Sequence, residues 1–309
     1  MKILIVCSST KKRISPFVSD QVMALNALGI TTEYFPIEGT GVLGYLKSLP
    51  GLLNHLKKYK PNLIHAHYGL SGLLSVLQRK CPVAITFHGS DVNNKRVRPF
   101  SWLASRLSAA NIFVSKEMLQ LMPAPDSFVI PCGVDMELFK PMKQSEARKE
   151  FGLNPDKKYI LFSSGFDNAV KNYPLAKSAV SLLNNSNIEL LELKGFSREQ
   201  VSRLMNAADM VLMTSFTEGS PQFIKEAMAC NRPIVSTNVG DVKWLFGNEP
   251  GHYITSFESN DVAKKLKLAI EFSTMKNQTN GRERIINLGL DSDNIANKII
   301  KIYQSVRVC

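Results

Sequence analysis

Between Thr214 and Ala229 the chain reads Thr-Ser-Phe-Thr-Glu-Gly-Ser-Pro-Gln-Phe-Ile-Lys-Glu-Ala-Met-Ala, which sets Glu218 and Glu226 eight residues apart. The apolar run Met210–Met213 precedes it, a turn falls at Gly219, and Pro221 suits the first turn of a helix. A helix that starts at the carboxyl end of a strand aims free N–H groups and about half a positive charge outward, which suits a diphosphate. Glu226 then lies roughly 7–8 Å along the helix, within reach of hydroxyls beside the phosphates. Glu218, in the loop, faces the same opening. Each carboxylate also has a plainer reading: Glu226 as an exposed glutamate in a helix-forming run, Glu218 as a loop acid favoured by the helix dipole alone.

His88 ends the apolar run Val83–Phe87 and is followed by Gly89. A strand-end position facing a cleft follows, where the imidazole either contacts a sugar or is a satisfied structural histidine. His65 and His67, in Ile64-His65-Ala66-His67, are expected to alternate across a strand so that at most one faces the cleft. Core packing or local hydrogen bonding accounts better for both.

Several common chemistries are excluded. After the first apolar run, Ile3–Cys7, stands Ser8-Ser9-Thr10-Lys11-Lys12-Arg13 without a glycine, so the dinucleotide fingerprint is missing. No Walker loop, G-x-S-x-G elbow or H-E-x-x-H occurs. The five cysteines are scattered and odd in number, with no C-x-x-C pair. They read as a reduced cytosolic thiol set rather than a metal site.

These residues need strands to end beside them. Short apolar runs alternate with helical patterns: Ile3–Cys7 before Val18–Leu28, Leu63–Ala66 before Leu70–Gln78, then Val83–Phe87, Ile112–Val114 and Phe128–Ile130. This alternation indicates βαβ units and a doubly wound parallel sheet over 1–138. The charged stretch 139–157 reads as a linker. Alternation restarts with Tyr159–Phe162, Ile188–Leu193, Met210–Met213 and Ile234–Ser236, so 158–290 forms a second α/β domain. The tail, 291–309, has helical spacing at Ile295, Ile299, Ile302 and Tyr303 and is expected to pack back toward the first domain.

The 309 residues suit two ordinary domains, and 44% hydrophobic with 21% charged residues excludes disorder. No apolar stretch approaches the roughly 18 residues of a membrane span, and the opening residues do not form a signal peptide. Net charge is +12 and uneven: residues 1–140 carry 16 Lys/Arg against 8 Asp/Glu, residues 141–309 carry 22 against 18. Two basic-apolar segments, Leu46–Lys60 and Lys95–Leu103, suit an anionic membrane surface, with a solvated face as the alternative. No nucleic-acid motif accompanies the charge.

The Glu218/Glu226 pair, set in Glu-Gly-Ser-Pro and Glu-Ala-Met-Ala and followed by Pro233-Ile234-Val235, resembles the E-x7-E motif of the GT-B-fold retaining glycosyltransferases of family 4 (group 1). Ile130-Pro131-Cys132-Gly133-Val134-Asp135, then Phe139-Lys140-Pro141, is similar to the family's hinge signature, with Cys132 in the asparagine place. Phe87-His88-Gly89-Ser90-Asp91 resembles its acceptor-domain histidine motif, and Gly240-Asp241 stands in for a Gly-Gly pair. The resemblance spans about 1–305 and is densest over 195–242. It departs in three places. The run Ser163–Lys171 has no Gly-Arg pair before the lysine, Ile14–Phe17 replaces a glycine-rich loop, and 171–195 is too short for the usual extra strand and its Gly-x-Gly-Pro turn. The chain reads as a trimmed member.

The resemblance implies two Rossmann-like domains facing a cleft and a metal-independent hexosyltransferase that retains anomeric configuration, with no dedicated nucleophile. It implies a nucleotide-sugar substrate, UDP- or GDP-linked, no cofactor, and a glycan or lipid-linked acceptor in envelope polysaccharide or lipid-linked glycan synthesis. Glu226 would take the ribose, Glu218 a donor-sugar hydroxyl, Lys171 the phosphate, and Gly219, Ser220, Pro221 and Gln222 the diphosphate. Gly195, Phe196 and Ser197 would meet the nucleobase, and His88 the sugar. The expected location is cytoplasmic, or peripheral at the inner face of the membrane. The rival reading is a sugar- or nucleotide-binding module of the same fold without turnover.

Overall fold

A computed structural model describes residues 1–9, 14–39, 41–276 and 278–306. Thr10–Arg13, in the glycine-free run that follows Ile3–Cys7 in the sequence, lie outside the described residues.

The chain forms two units, the first comprising Met1–Gly133 and the segment from Ser292, the second Val134–Asp291. In the first, β1 (Lys2–Ser8), β2 (Thr31–Ile37), β3 (Leu63–His67), β4 (Val83–Phe87), β5 (Ala110–Phe113) and β6 (Ser127–Val129) pair in the order β2-β1-β3-β4-β5-β6. All pairs are parallel, with Ile5 opposite both Tyr34 and His65. In the second, β7 (Lys158–Phe162), β8 (Ile188–Leu191), β9 (Met210–Met213), β10 (Ile234–Thr237) and β11 (His252–Thr255) pair in parallel in the order β11-β10-β9-β7-β8.

Strand burial explains which strands the sequence shows. β3, β4, β9 and β10 are buried throughout and covered on both faces, so they read as largely apolar runs, interrupted in β3 by His65 and His67. The edge strands β2 and β11 are half-exposed and carry polar residues, and no apolar run marks them. The helix Ser292–Ser305 buries Ile295, Ala296, Ile299, Ile302 and Tyr303 within the first unit. It packs on the helix Pro16–Ala27, and its Tyr303 hydroxyl meets His65 Nδ1 at 2.5 Å. No helix of the described residues is long and apolar enough to cross a membrane.

The stretch 139–157 is not a linker. The chain passes between the units at 133–134, and 139–157 is built into the second. Phe139 is fully buried, and Met142 N donates to Asn206 Oδ1 at 2.9 Å. Buried Arg148 donates Nη2 to Asp209 Oδ2 at 2.7 Å, Nε to Ala207 O at 3.0 Å and Nη1 to Pro155 O at 2.9 Å. Asp209 also accepts from Tyr159 N at 2.7 Å and Lys158 Nζ at 3.1 Å. Among the charges that resemble linker composition, Arg148 is an internal tie, while Glu146, Lys149 and Glu150 lie on the surface.

Asp209→Ala leaves the Arg148 guanidinium buried without its counter-charge. The expected cost is about 3–5 kcal/mol of stability, read from the midpoint of urea unfolding.

Candidate active site

In the second sheet β7 and β9 are neighbours although β8 lies between them in sequence, so the loops leaving their carboxyl ends diverge. Such a switch point is where open α/β sheets bind ligands. The loop after β7 carries Lys171 at the end of the short 3₁₀ turn Ala169–Lys171. The loop after β9 carries Glu218. Thr214 Oγ1 donates to Lys171 O at 2.9 Å and Asn172 O at 3.0 Å, and Phe216 N donates to Val170 O at 2.9 Å, strapping the two loops together. Lys171 Nζ then meets Glu218 Oε1 at 2.6 Å, with both side chains mostly covered.

The helix Gln222–Ala229 starts one residue past Pro221, which serves as its N-cap. The turn before it is fixed from outside. Gly240, at φ +55°, sits so close that an added Cβ would lie 2.4 Å from Gly219 O. A glycine is required there. The buried hydroxyls of Ser163, just after β7, Ser215, after β9, and Ser220 make no hydrogen bond among the described residues. Unpaired buried hydroxyls are costly, and three at one sheet edge suit a polar ligand.

Glu226 is buried and accepts from Arg198 Nη1 at 2.7 Å. The Arg198 guanidinium lies 4.6 Å from the Phe139 ring centre. Sequence reasoning missed Arg198, because nothing local links it to a carboxylate 28 residues later. Gly195 adopts φ +83° after β8, and Phe196 packs edge-on against Phe151. Ser197 is committed to capping: its Oγ accepts from Gln200 N at 3.3 Å and its N–H donates to Gln200 Oε1 at 3.0 Å. The Oγ and N–H of Ser197 thus serve the cap.

In the first unit His88 follows β4, and Gly89 beside it has φ +132°. His88 Nε2 meets His67 Nδ1 at 3.0 Å, and its Nδ1 faces Cys132 Sγ at 3.7 Å. The thiol contact is the longer and the weaker of the two. His65 and His67 do not alternate. Residues two apart on a strand share a face, and their rings stack at 4.5 Å, with His67 on His88 at 5.2 Å. Burial holds the His65 imidazole down at about 3 and His67 well below its usual range, with His65 and His88 adding to the latter. Asp91, buried beneath the loop, accepts from the N–H groups of Gly69, His88 and Gly89. Burial raises its carboxyl to about 6 against those bonds. Among the described residues no three His, Cys, Asp or Glu side chains form a metal-binding set.

The comparisons cover both units. Residues 5–138 match the model of Glycosyltransferase Family 4, and residues 158–271 that of Glycosyl transferases group 1. A Bacillus subtilis protein named as a teichuronic acid biosynthesis glycosyltransferase, TuaC, is 26% identical over 216 residues, covering 60% of this chain and 56% of that protein. The chain thus spans little more than half of this relative's length. The UDP-Gal:α-D-GlcNAc-diphosphoundecaprenol α-1,3-galactosyltransferase of Escherichia coli is 23% identical over 309 residues, covering 85% and 76%. Among solved structures, Anabaena HepE in complex with UDP superposes with a TM-score of 0.77 at 17% identity, covering 99% and 100%.

His67 titrates in the unfolded chain near 6.5 but stays neutral in the fold far below that, so the unfolded state binds the extra proton. Its contribution is whole above pH 6.5 and is lost on acidification. Against wild type, His67→Gln should therefore gain about 1.4 kcal/mol for each pH unit below 6.5, measured by urea midpoints across pH.

Proposed function

The chain belongs to the group 1, family 4 glycosyltransferases of GT-B fold, and from that premise we propose that it moves a hexose from a nucleotide-sugar, UDP- or GDP-linked, to a hydroxyl of a glycan or lipid-linked acceptor, with retention and without a metal. The observation that carries this reading is the Lys171–Glu218 pair, at 2.6 Å, beside the start of the helix Gln222–Ala229. The diphosphate takes the helix N-terminus and draws the Lys171 ammonium to itself, which frees Glu218 for a hydroxyl of the donor sugar. Glu226, steadied by Arg198, takes the ribose. Gly195 and Phe196 border the base, and His88, in the first unit, contacts a sugar.

As the bond from the anomeric carbon to the leaving phosphate oxygen breaks, negative charge grows on the diphosphate. Lys171 and the helix N–H groups stabilise it most at that point. The acceptor oxygen attacks the oxocarbenium-like centre from the same face, and its proton passes to the departing phosphate. Water in place of the acceptor gives slow donor hydrolysis. The Escherichia coli relative's name includes a diphosphoundecaprenol acceptor, and the basic first unit supports an acceptor of that lipid-linked class, presented at an anionic inner membrane face. The missing arginine before Lys171 favours the rival reading, a binding module without turnover.

Release of UDP or GDP from a panel of nucleotide-sugars by the pure protein separates the two, since the module binds and releases nothing. Glu226→Ala should weaken nucleotide binding by about 1.5–3 kcal/mol in calorimetry. Lys171→Ala should slow turnover by about a hundredfold with a smaller change in nucleotide affinity. A folded Glu226→Ala protein with unchanged affinity refutes the ribose assignment.

A further inference from the structure

Two segments of the first unit combine cations with apolar side chains, and the fold sets them apart. In the helix Leu49–Tyr59, Leu52 and Leu56 are buried in the first core and Leu49 packs against it. That helix turns lysines outward without an apolar face beside them. The helix Arg98–Leu107 does the reverse. Its small residues Ser101, Ala104 and Ser105 are buried, and it packs on the helix Gly69–Val76 so tightly that a Cβ on Gly69 would collide with Ser101. With small side chains inward, the large ones stand outward: Phe100, Trp102, Leu103 and Leu107 are 36%, 47%, 43% and 50% exposed. The Arg106 guanidinium lies 5.2 Å from the Trp102 ring centre. Leu107 also borders a groove of about 320 Å³ that Leu77, Arg79 and Lys80 help to line. From Val92 to Lys116 the sequence has five cations and no Asp or Glu.

We propose that the outer face of Arg98–Leu107 is the surface on which the protein docks to an anionic lipid membrane. It deepens the reading above, on which its use for an acceptor depends. The argument is charge complementarity joined to apolar exposure. A leaflet presents negative headgroups over hydrocarbon, so one surface answers both the cations and the aromatic side chains. Carboxylates, which such a surface would repel, are absent from the whole segment. The helix is also tied to the His88 loop. Ser101 Oγ donates to Asp91 O at 2.8 Å, and the Asp91 carboxylate accepts from His88 N at 3.1 Å and Gly89 N at 2.9 Å. Docking here holds that loop at a fixed height above the headgroups.

The test uses the full chain carrying Trp244→Phe, which leaves Trp102 as its one tryptophan. With vesicles of phosphatidylglycerol and phosphatidylcholine, the expected result is co-sedimentation and a blue shift of Trp102 emission, both reversed by high salt. Pure phosphatidylcholine vesicles should give neither. In the wild-type background, Trp102→Ser with Leu103→Ser, and separately Lys95→Glu with Arg96→Glu and Arg106→Glu, should each lower the bound fraction about tenfold or more. Lys57→Glu with Lys58→Glu should lower it far less. The proposal is overturned by no binding, by equal binding to neutral vesicles, by an equal loss in the Lys57/Lys58 variant, or by vesicle-independent, concentration-dependent sedimentation that marks self-association. If the substituted proteins fail to fold, the Trp102 emission shift decides alone. Nucleotide release from UDP- and GDP-sugars, measured in parallel, keeps the two readings distinct. Release without vesicle binding overturns docking and leaves the transferase, whereas vesicle binding without release supports docking and counts against the transferase.

Discussion

Parallel pairing is the constraint on which both units rest. When every strand of a sheet runs the same way, all carboxyl ends line one edge, and each connection must return along a face as a helix. Polar loops then gather at a single edge. In the second sheet that edge holds Lys171, Glu218, the Gly219 turn and three buried serine hydroxyls. Because β7 and β9 are neighbours, the loops that leave them start side by side, and Thr214 fastens one to the other before the charges meet. The opposed charges of Lys171 and Glu218 are thus assembled by backbone geometry rather than by mutual attraction alone.

The second unit uses an arginine paired with a buried carboxylate twice, Arg148 buried and Arg198 partly covered. At the amino-terminal end of the sheet, Arg148 joins the segment after Val134 to Asp209, just before β9. At the ligand edge, Arg198 lies over Phe139 and holds one oxygen of Glu226. The first pair fastens a segment. The second holds a buried carboxylate in place. Phe139 takes part in both halves of this plan, since it belongs to the segment that Arg148 secures and stacks on the arginine that steadies Glu226.

The parts of this arrangement that are local in sequence were legible there. Buried strands announce themselves as apolar runs, and Glu218, Gly219, Pro221 and Glu226 lie on one strand-turn-helix passage whose geometry follows from spacing. What escaped is set by partners distant along the chain. The stretch 139–157 looks like a solvated linker until Asp209 and Asn206 answer it from the far side of a domain. Arg198 looks like any helix-start arginine until Glu226 meets it. The edge strands β2 and β11 are half-exposed and carry polar residues, which hides their pattern. The histidine stack was missed through strand parity: positions two apart share a face, so His65 and His67 lie together, and His88 joins them from the next strand.

The first unit is not one stretch of chain. Its sheet is made from residues up to Gly133, yet its helix Ser292–Ser305 arrives only after the whole second unit. On a ribosome this order has a cost in time. The second unit can close as soon as its own residues have emerged, whereas His65, buried early in the sheet, must wait about 240 residues for the Tyr303 hydroxyl to cover Nδ1. During synthesis the unit whose sheet is read first is therefore the one that matures last, with its apolar helix seat open to chaperones until Ser292–Ser305 has emerged.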